Sequence, residues 1–250
     1  MKTEAIEIKR DGLTLRGFQS LPETDHFDIA VLFHGFMMTC GRDPEDLIYQ
    51  ISEDLNRRGI GTVRMDFAGD GESDGPSEDV SVLSEILDAE AILRYVRRIP
   101  GVRRVFVHGQ SQGGVIAAMM AGVYPDRISK AALTAPAAVL VDDAKKGSIM
   151  GIDFDPREVP ETLVMKEHCF SGFYFRTNQK LNIYDWAANY DGPVIIVHSE
   201  KDPIVPYRYS ERFHEVMKNS ELHILPGGNH PMKDEVRAET IRLVGDFFEK

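Results

Sequence analysis

The stretch that most constrains this chain is Val105-Phe106-Val107-His108-Gly109-Gln110-Ser111-Gln112-Gly113-Gly114, where an apolar run enters a Gly-x-Ser-x-Gly and leaves into small residues. A buried strand that delivers a serine into so tight a turn needs glycine at 109 and 113, because a Cβ there would meet the returning backbone. The turn lifts the serine hydroxyl clear of the strand. Val115-Ile116-Ala117-Ala118-Met119-Met120-Ala121-Gly122 then has the composition of a buried helix. Its N-terminal amides would face negative charge forming beside Ser111. Acyl transfer needs that arrangement, but a glycine turn without chemistry has the same local pattern, so the rest of the chain has to decide.

The flanking periodicities predict alternating strands and helices. Ala5–Lys9 and Leu13–Phe18 alternate apolar and polar residues around an Asp11-Gly12 turn, which reads as a hairpin. Ile29–Phe33 is a continuous apolar run suited to a strand covered on both faces. Asp43-Pro44-Glu45-Asp46 reads as a helix start, with Asp43 as N-cap and the helix running to Arg58 before Gly59. Strands are expected at Gly61–Phe67, Ile128–Thr134, Pro193–His198 and Glu221–Leu225, and helices at Val82–Val96, Tyr207–Met217 and the chain end. Between about 136 and 186 this alternation breaks down, which predicts a cap inserted into one α/β domain spanning 1–250. The expected fold class is α/β, a mostly parallel central sheet with helices on both faces.

Composition narrows the function. A formal charge of -11, with no basic run or face identified, disfavours nucleic acid and anionic membranes as partners. Cys40 and Cys169 are the only cysteines and sit far apart, so neither a disulfide scaffold nor a zinc site is expected. The acids of Ala68-Gly69-Asp70-Gly71-Glu72-Ser73-Asp74-Gly75 lack the alternate-position spacing of a calcium loop, so no metal and no cofactor is expected. The N-terminal residues show no basic segment leading into an apolar core, and no apolar run approaches spanning length. The cytoplasm is the expected location, a small molecule the expected partner, and self-association as a homodimer stays open.

A serine hydroxyl is a weak nucleophile unless a base lies within hydrogen-bond reach and an acid orients that base. Asp202 follows one strand and His230 lies in the glycine-rich loop after the next, which gives the order Ser, Asp, His along the chain. His198, His214 and His223 fall at a strand end, inside a helix and inside a strand, respectively. The triad is therefore expected to be Ser111, Asp202 and His230. Two amides are needed for the oxyanion: Gln112, directly after the nucleophile, and Phe36, in the His34-Gly35-Phe36 loop after the early strand.

These motifs together resemble the α/β-hydrolase superfamily over essentially the whole chain. Leu133-Thr134-Ala135-Pro136-Ala137-Ala138, Gly172-Phe173-Tyr174 and Ile183-Tyr184 make it similar to the bacterial cinnamoyl or feruloyl esterases within that superfamily. Gln110 stands where histidine is common in that elbow. The resemblance implies an α/β-hydrolase fold and a cofactor-free serine esterase that cleaves hydroxycinnamate esters and binds the aromatic acid beneath the cap. Expected substrate contacts are Asp143, Tyr174 and His34, with Phe170, Phe173, Phe175, Tyr184 and Trp186 as further aromatics able to stack or to pack the cap. The alternatives are a lysophospholipase or monoacylglycerol-type lipase, an aminopeptidase of the same fold, and a catalytically silent scaffold that binds a ligand or partner.

Overall fold

The computed structural model describes residues 1–166, 168–233 and 235–250. An antiparallel pair opens the chain, β1 (Lys2–Arg10) and β2 (Leu13–Leu21), turned through Asp11 and Gly12 at φ 49° and 86°. Positive φ at both central residues matches the right-handed twist of a two-residue hairpin. There follow β3 (Phe27–Phe33), α1 (Leu47–Arg57), β4 (Gly61–Met65), α2 (Val82–Val96), β5 (Val102–Gln110), α3 (Gln112–Val123) and β6 (Lys130–Thr134). The residues expected as a cap carry α4 (Val139–Lys146), a hairpin of β7 (Ser148–Ile149) and β8 (Ile152–Asp153), and a second of β9 (Thr162–Met165) and β10 (His168–Ser171), then α5 (Gly172–Asn178) and α6 (Ile183–Ala187). The alternation resumes with β11 (Val194–Ser199), α7 (Arg208–Val216), β12 (Ser220–Leu225) and α8 (Glu235–Glu249).

Eight strands form the main sheet in the order β1-β2-β4-β3-β5-β6-β11-β12. From β4 through β12 neighbouring strands are parallel, and β1 and β2 add an antiparallel edge. This is the expected α/β architecture. Along β3, Ile29, Val31 and Phe33 enter the core beneath α2 and α3, while Ala30 and Leu32 enter the one beneath α1 and α8. The two-residue period of a strand thus feeds both faces, so a doubly covered strand reads as an unbroken apolar run. Helix α3 is buried along Gln112–Ala121, which explains its small, uniformly apolar composition. After β3 the chain crosses to β4 on one side, and β5 lies on the other. That reversal opens a crevice at the carboxyl ends of β3 and β5, where ligands of open α/β sheets collect.

Two of the boundaries that move have a clear local cause. The helix expected from Asp43 begins at Leu47, because Asp43 closes a local turn: its Oδ1 accepts from Glu45 N–H at 2.9 Å and its carbonyl from Asp46 N–H at 2.9 Å. A side chain that satisfies nearby amides in a turn competes with its use as a helix cap. The strand expected to reach Phe67 ends at Met65, because Asp66 and Phe67 donate their N–H groups to the Arg16 carbonyl and His34 Nε2.

A third apolar cluster sits apart from the two sheet cores. Ala144, Ile149, Val159, Met165, Phe170, Tyr174 and Phe175 pack with Val80, and Phe36 and Met37 from the loop after β3 lean on them. The segment between β6 and β11 is thereby seated at the crevice end of the sheet.

Candidate active site

Ser111 sits between β5 and α3 at φ 57°, a left-handed conformation that an L-residue holds only when its surroundings impose it. The surroundings do so through the backbone: Ser111 N–H donates to the Thr134 carbonyl at 2.9 Å, and the Ser111 carbonyl accepts from Gly114 at 2.9 Å and Ala137 at 3.0 Å. A Cβ on Gly109 would be driven into the Gly113 carbonyl, and one on Gly113 into the carbonyls of Phe33 and His34. Gly113→Ala is therefore expected to cost about 3 kcal/mol or more through overpacking against backbone that cannot yield. A thermal melt reads this as a loss of roughly 10 °C or failure to accumulate folded protein; an unchanged melt would show that the elbow tolerates a Cβ.

The structure brings the three expected residues into one hydrogen-bonded line. Ser111 Oγ donates to His230 Nε2 at 2.8 Å, and His230 Nδ1 donates to Asp202 Oδ2 at 2.7 Å. Asp202 is anchored on its other oxygen, where Oδ1 accepts from the N–H groups of Ile204 and Val205, both at 2.9 Å. Burial drives its carboxyl up, but the hydrogen bonds from His198, His230 and the Val205 amide prevail and hold Asp202 well below the ordinary carboxylate range. The acid is thus ionised and fixed, with one oxygen aimed at the imidazole. Behind His230, the Ser199 hydroxyl donates to Met232 Sδ at 2.8 Å and ties the histidine loop to the end of β11.

Ser111, His230, Phe36 and Gln112 line a single cavity with an accessible volume of about 100 Å³. Its wall is mostly apolar, built from Met38, Val139, Leu140, Ile149 and Val205, and Asp143 supplies a carboxyl. No hydrogen bond occupies the Phe36 or Gln112 amide among the described residues. Gly35 lets the Phe36 loop come close, since a Cβ there would lie 3.0 Å from Ser111 Cβ.

The expected substrate contacts fare differently. Asp143 faces the cavity, whereas its neighbour Asp142 points to the far side of α4 and accepts from the Tyr209 hydroxyl at 2.7 Å, as the 100° step between helical neighbours requires. Burial first, and Asp142 beside it, raise the Asp143 carboxyl above its ordinary range against the opposing charges of Lys146 and Arg208. Tyr174 presents its ring to the cavity, but its hydroxyl is committed to Gln112 Oε1 at 2.7 Å. His34 is a correction: it is 1% exposed, donates through Nδ1 to the Gly35 carbonyl at 2.8 Å and accepts the Phe67 amide on Nε2 at 3.0 Å. Burial lowers its proton affinity, and the neutral ring pins the Phe36 loop to the strand beside it instead of reaching a substrate. Phe170 and Phe175 are buried in the third cluster, Phe173 is exposed, and Tyr184 and Trp186 border other clefts. Those five pack or face solvent.

Two residues bear on the site without having been singled out for it. His198 Nε2 lies 3.2 Å from Asp202 Oδ2 and 2.8 Å from the Val205 carbonyl, behind the acid. Glu85 accepts from Gln112 Nε2 on both oxygens at 2.8 Å. Its signal was present in the sequence, as a carboxylate three residues after Val82 and four before Ala89, on the buried stripe of α2. The glycine-acid loop is tied to its surroundings through Asp66, which precedes it and accepts from Cys40 N–H at 2.7 Å, Arg42 Nη2 at 2.6 Å and Glu72 N–H at 2.9 Å. Among the described residues, no group of three or more histidine, cysteine, aspartate or glutamate side chains is placed to hold a metal ion, and no helix is long and apolar enough to cross a membrane.

A family model described as Serine aminopeptidase, S33 matches residues 24–154. The chain belongs to that family of α/β-hydrolases. It is similar to Est1E from Butyrivibrio proteoclasticus, in a structure with ferulic acid bound, at a TM-score of 0.92 and 30% identity over 98% of both chains. The human protein named serine hydrolase BPHL is 28% identical over 98% of this chain and 86% of its own length. An esterase from Pyrococcus furiosus, Pf2001, shares the fold at a TM-score of 0.74, with 19% identity over 99% of this chain and 92% of that one. This α/β-hydrolase is a serine hydrolase.

Proposed function

We propose that this α/β-hydrolase cleaves carboxylic esters of hydroxycinnamate type through an acyl-enzyme. The observation that carries the reading is the line Ser111–His230–Asp202 opening onto an apolar cavity that holds a carboxyl, Asp143. His230 takes the Ser111 proton as Oγ attacks the ester carbonyl, and the Phe36 and Gln112 amides stabilise the oxyanion. The same imidazole returns the proton to the departing alkoxide. Water, deprotonated by His230, then releases the acid and restores Ser111. Apolar walls suit a flat aromatic acyl group, and a carboxyl in the cavity offers an acceptor to a phenolic hydroxyl. The likeness to a structure with ferulic acid bound supports the same class of acid.

Hydrolysis of methyl ferulate, methyl cinnamate and a medium-chain aliphatic ester tests the reading. Methyl ferulate should be the best substrate, and Asp143→Ala should raise its KM by about 10-fold, the scale of one lost hydrogen bond to a charged or partly charged acceptor. Methyl cinnamate has no phenol and should be unaffected by that substitution. Preference for the aliphatic ester, or equal loss on both cinnamates, would sink the hydroxycinnamate assignment. Asp143 also favours one second reading, because a carboxylate could hold a substrate ammonium as in an aminopeptidase; release of 4-nitroaniline from amino-acid anilides in preference to ester cleavage would establish it. The burial that raises Asp143 works against a fixed carboxylate and toward a neutral phenol partner.

A further inference from the structure

One side chain from the segment between β6 and β11 touches both residues whose amides face the reacting carbonyl. The Tyr174 ring stacks on Phe36 with centroids 5.0 Å apart and planes 18° from parallel, and its hydroxyl donates to Gln112 Oε1 at 2.7 Å. The same terminal carboxamide turns its nitrogen into the core, where Nε2 meets both oxygens of Glu85 at 2.8 Å. Tyr174, Gln112 and Glu85 are 1%, 2% and 1% exposed, so water does not compete for these bonds. Burial first, and then the charge of Asp70, push the Glu85 carboxyl well above its ordinary range. A glutamate in the apolar stripe of α2 costs stability that alanine would not, and hydrogen bonding to Gln112 is the contact that retains it there.

We propose that Glu85 and Tyr174 are positioning residues for the oxyanion hole. They hold the Gln112 carboxamide through its oxygen and its nitrogen, fixing the first residue of α3 and its amide, while the Tyr174 ring fixes Phe36. Oxyanion donors act only within a narrow distance of the developing charge, so a small drift at either residue is felt at the transition state and hardly at all in ground-state binding. Seating of the segment over the crevice and alignment of the two donors are then one event. This rests on the serine hydrolase reading of Ser111.

The test uses 4-nitrophenyl acetate, whose acyl group is too small to depend on the far end of the cavity. Turnover is expressed per active site titrated to completion with a fluorophosphonate, so unfolded protein does not enter. Tyr174→Phe keeps the ring and removes the hydroxyl, Glu85→Ala removes the inner grip, and Glu85→Gln keeps the shape and a carbonyl acceptor for Gln112 Nε2. Tyr174→Phe and Glu85→Ala should each lower kcat roughly 10-fold, less than outright loss of an oxyanion donor, with KM changed by no more than about 2-fold. Because both act through one side chain, the double variant should lose little more than the worse single variant. Glu85→Gln should keep most of the activity. Wild-type kcat per titrated site in Tyr174→Phe, or losses that multiply in the double variant, would overturn the proposal; Tyr174→Phe carries the test if Glu85→Ala does not fold. Labelling of the unaltered protein is read separately, and its absence overturns the nucleophile assignment and this proposal with it.

Discussion

Ser111→Ala is expected to lower kcat by roughly 10⁴- to 10⁶-fold, the range found when a nucleophile acting as one unit with its base is removed. The substitution deletes one atom and one hydrogen bond, the 2.8 Å contact to His230 Nε2. Alanine at the same positive φ meets the same backbone constraints that serine does, so the elbow should persist and the melting temperature should stay within a few degrees. Phe36 and Gln112 keep their amides and Asp143 keeps its place in the cavity, so substrate should still bind and KM should move little. Residual turnover would come from an attacking water in a cavity that still stabilises the oxyanion. Hydrolysis of methyl ferulate by the purified variant, with a thermal melt beside it, reads both halves of the expectation. Activity within about 10-fold of the unaltered protein would exclude Ser111 as the nucleophile, since no positioning effect leaves a covalent route that intact.

What made the fold legible was the way β3, β5 and β11 are buried. Their two-residue period feeds two cores at once, which leaves unbroken apolar runs in the sequence, and the glycines at 109 and 113 mark where a chain must turn against neighbouring backbone. The line Ser111, Asp202, His230 was readable for a related reason: each follows a strand of the main sheet, and parallel strands carry their ends to one edge. Placement of His34 was not readable. Its position beside Gly35 and Phe36 says that it ends a strand, but only the neighbouring register reveals that its imidazole accepts the Phe67 amide. Residues Asp142 and Asp143 are adjacent acids in the sequence, and only the phase of α4 sends one into the cavity and the other to Tyr209. Glu85 was visible as a polar residue on an apolar stripe, yet its partner Gln112 lies 27 residues away, and nothing local predicts that contact.

Asp202→Asn should reduce kcat/KM by about 10⁴-fold while leaving the loop fold largely in place. An asparagine keeps an oxygen where Oδ1 now accepts from Ile204 and Val205, so the main-chain contacts persist. It also places an NH₂ where Oδ2 now receives His230 Nδ1 at 2.7 Å, so two donors face each other. His198 offers no relief, because its Nε2 lies 2.8 Å from the Val205 carbonyl and must itself carry hydrogen. The imidazole of His230 escapes the clash by shifting its proton to Nε2, which then points N–H at Ser111 and cannot accept the hydroxyl proton. Stability supplies an independent check with a definite sign. The Asp202 carboxyl is held below its ordinary 3.8, so its ionised form contributes stability above that value, and the contribution is lost as pH falls toward the folded-state value. The unaltered protein should therefore lose melting temperature below about pH 4 more steeply than Asp202→Asn, and the gap between them should narrow as the solution becomes more acid. Parallel melting curves down to low pH, or a kcat/KM within about 10-fold of the unaltered protein at neutral pH, would remove Asp202 from its place behind the base.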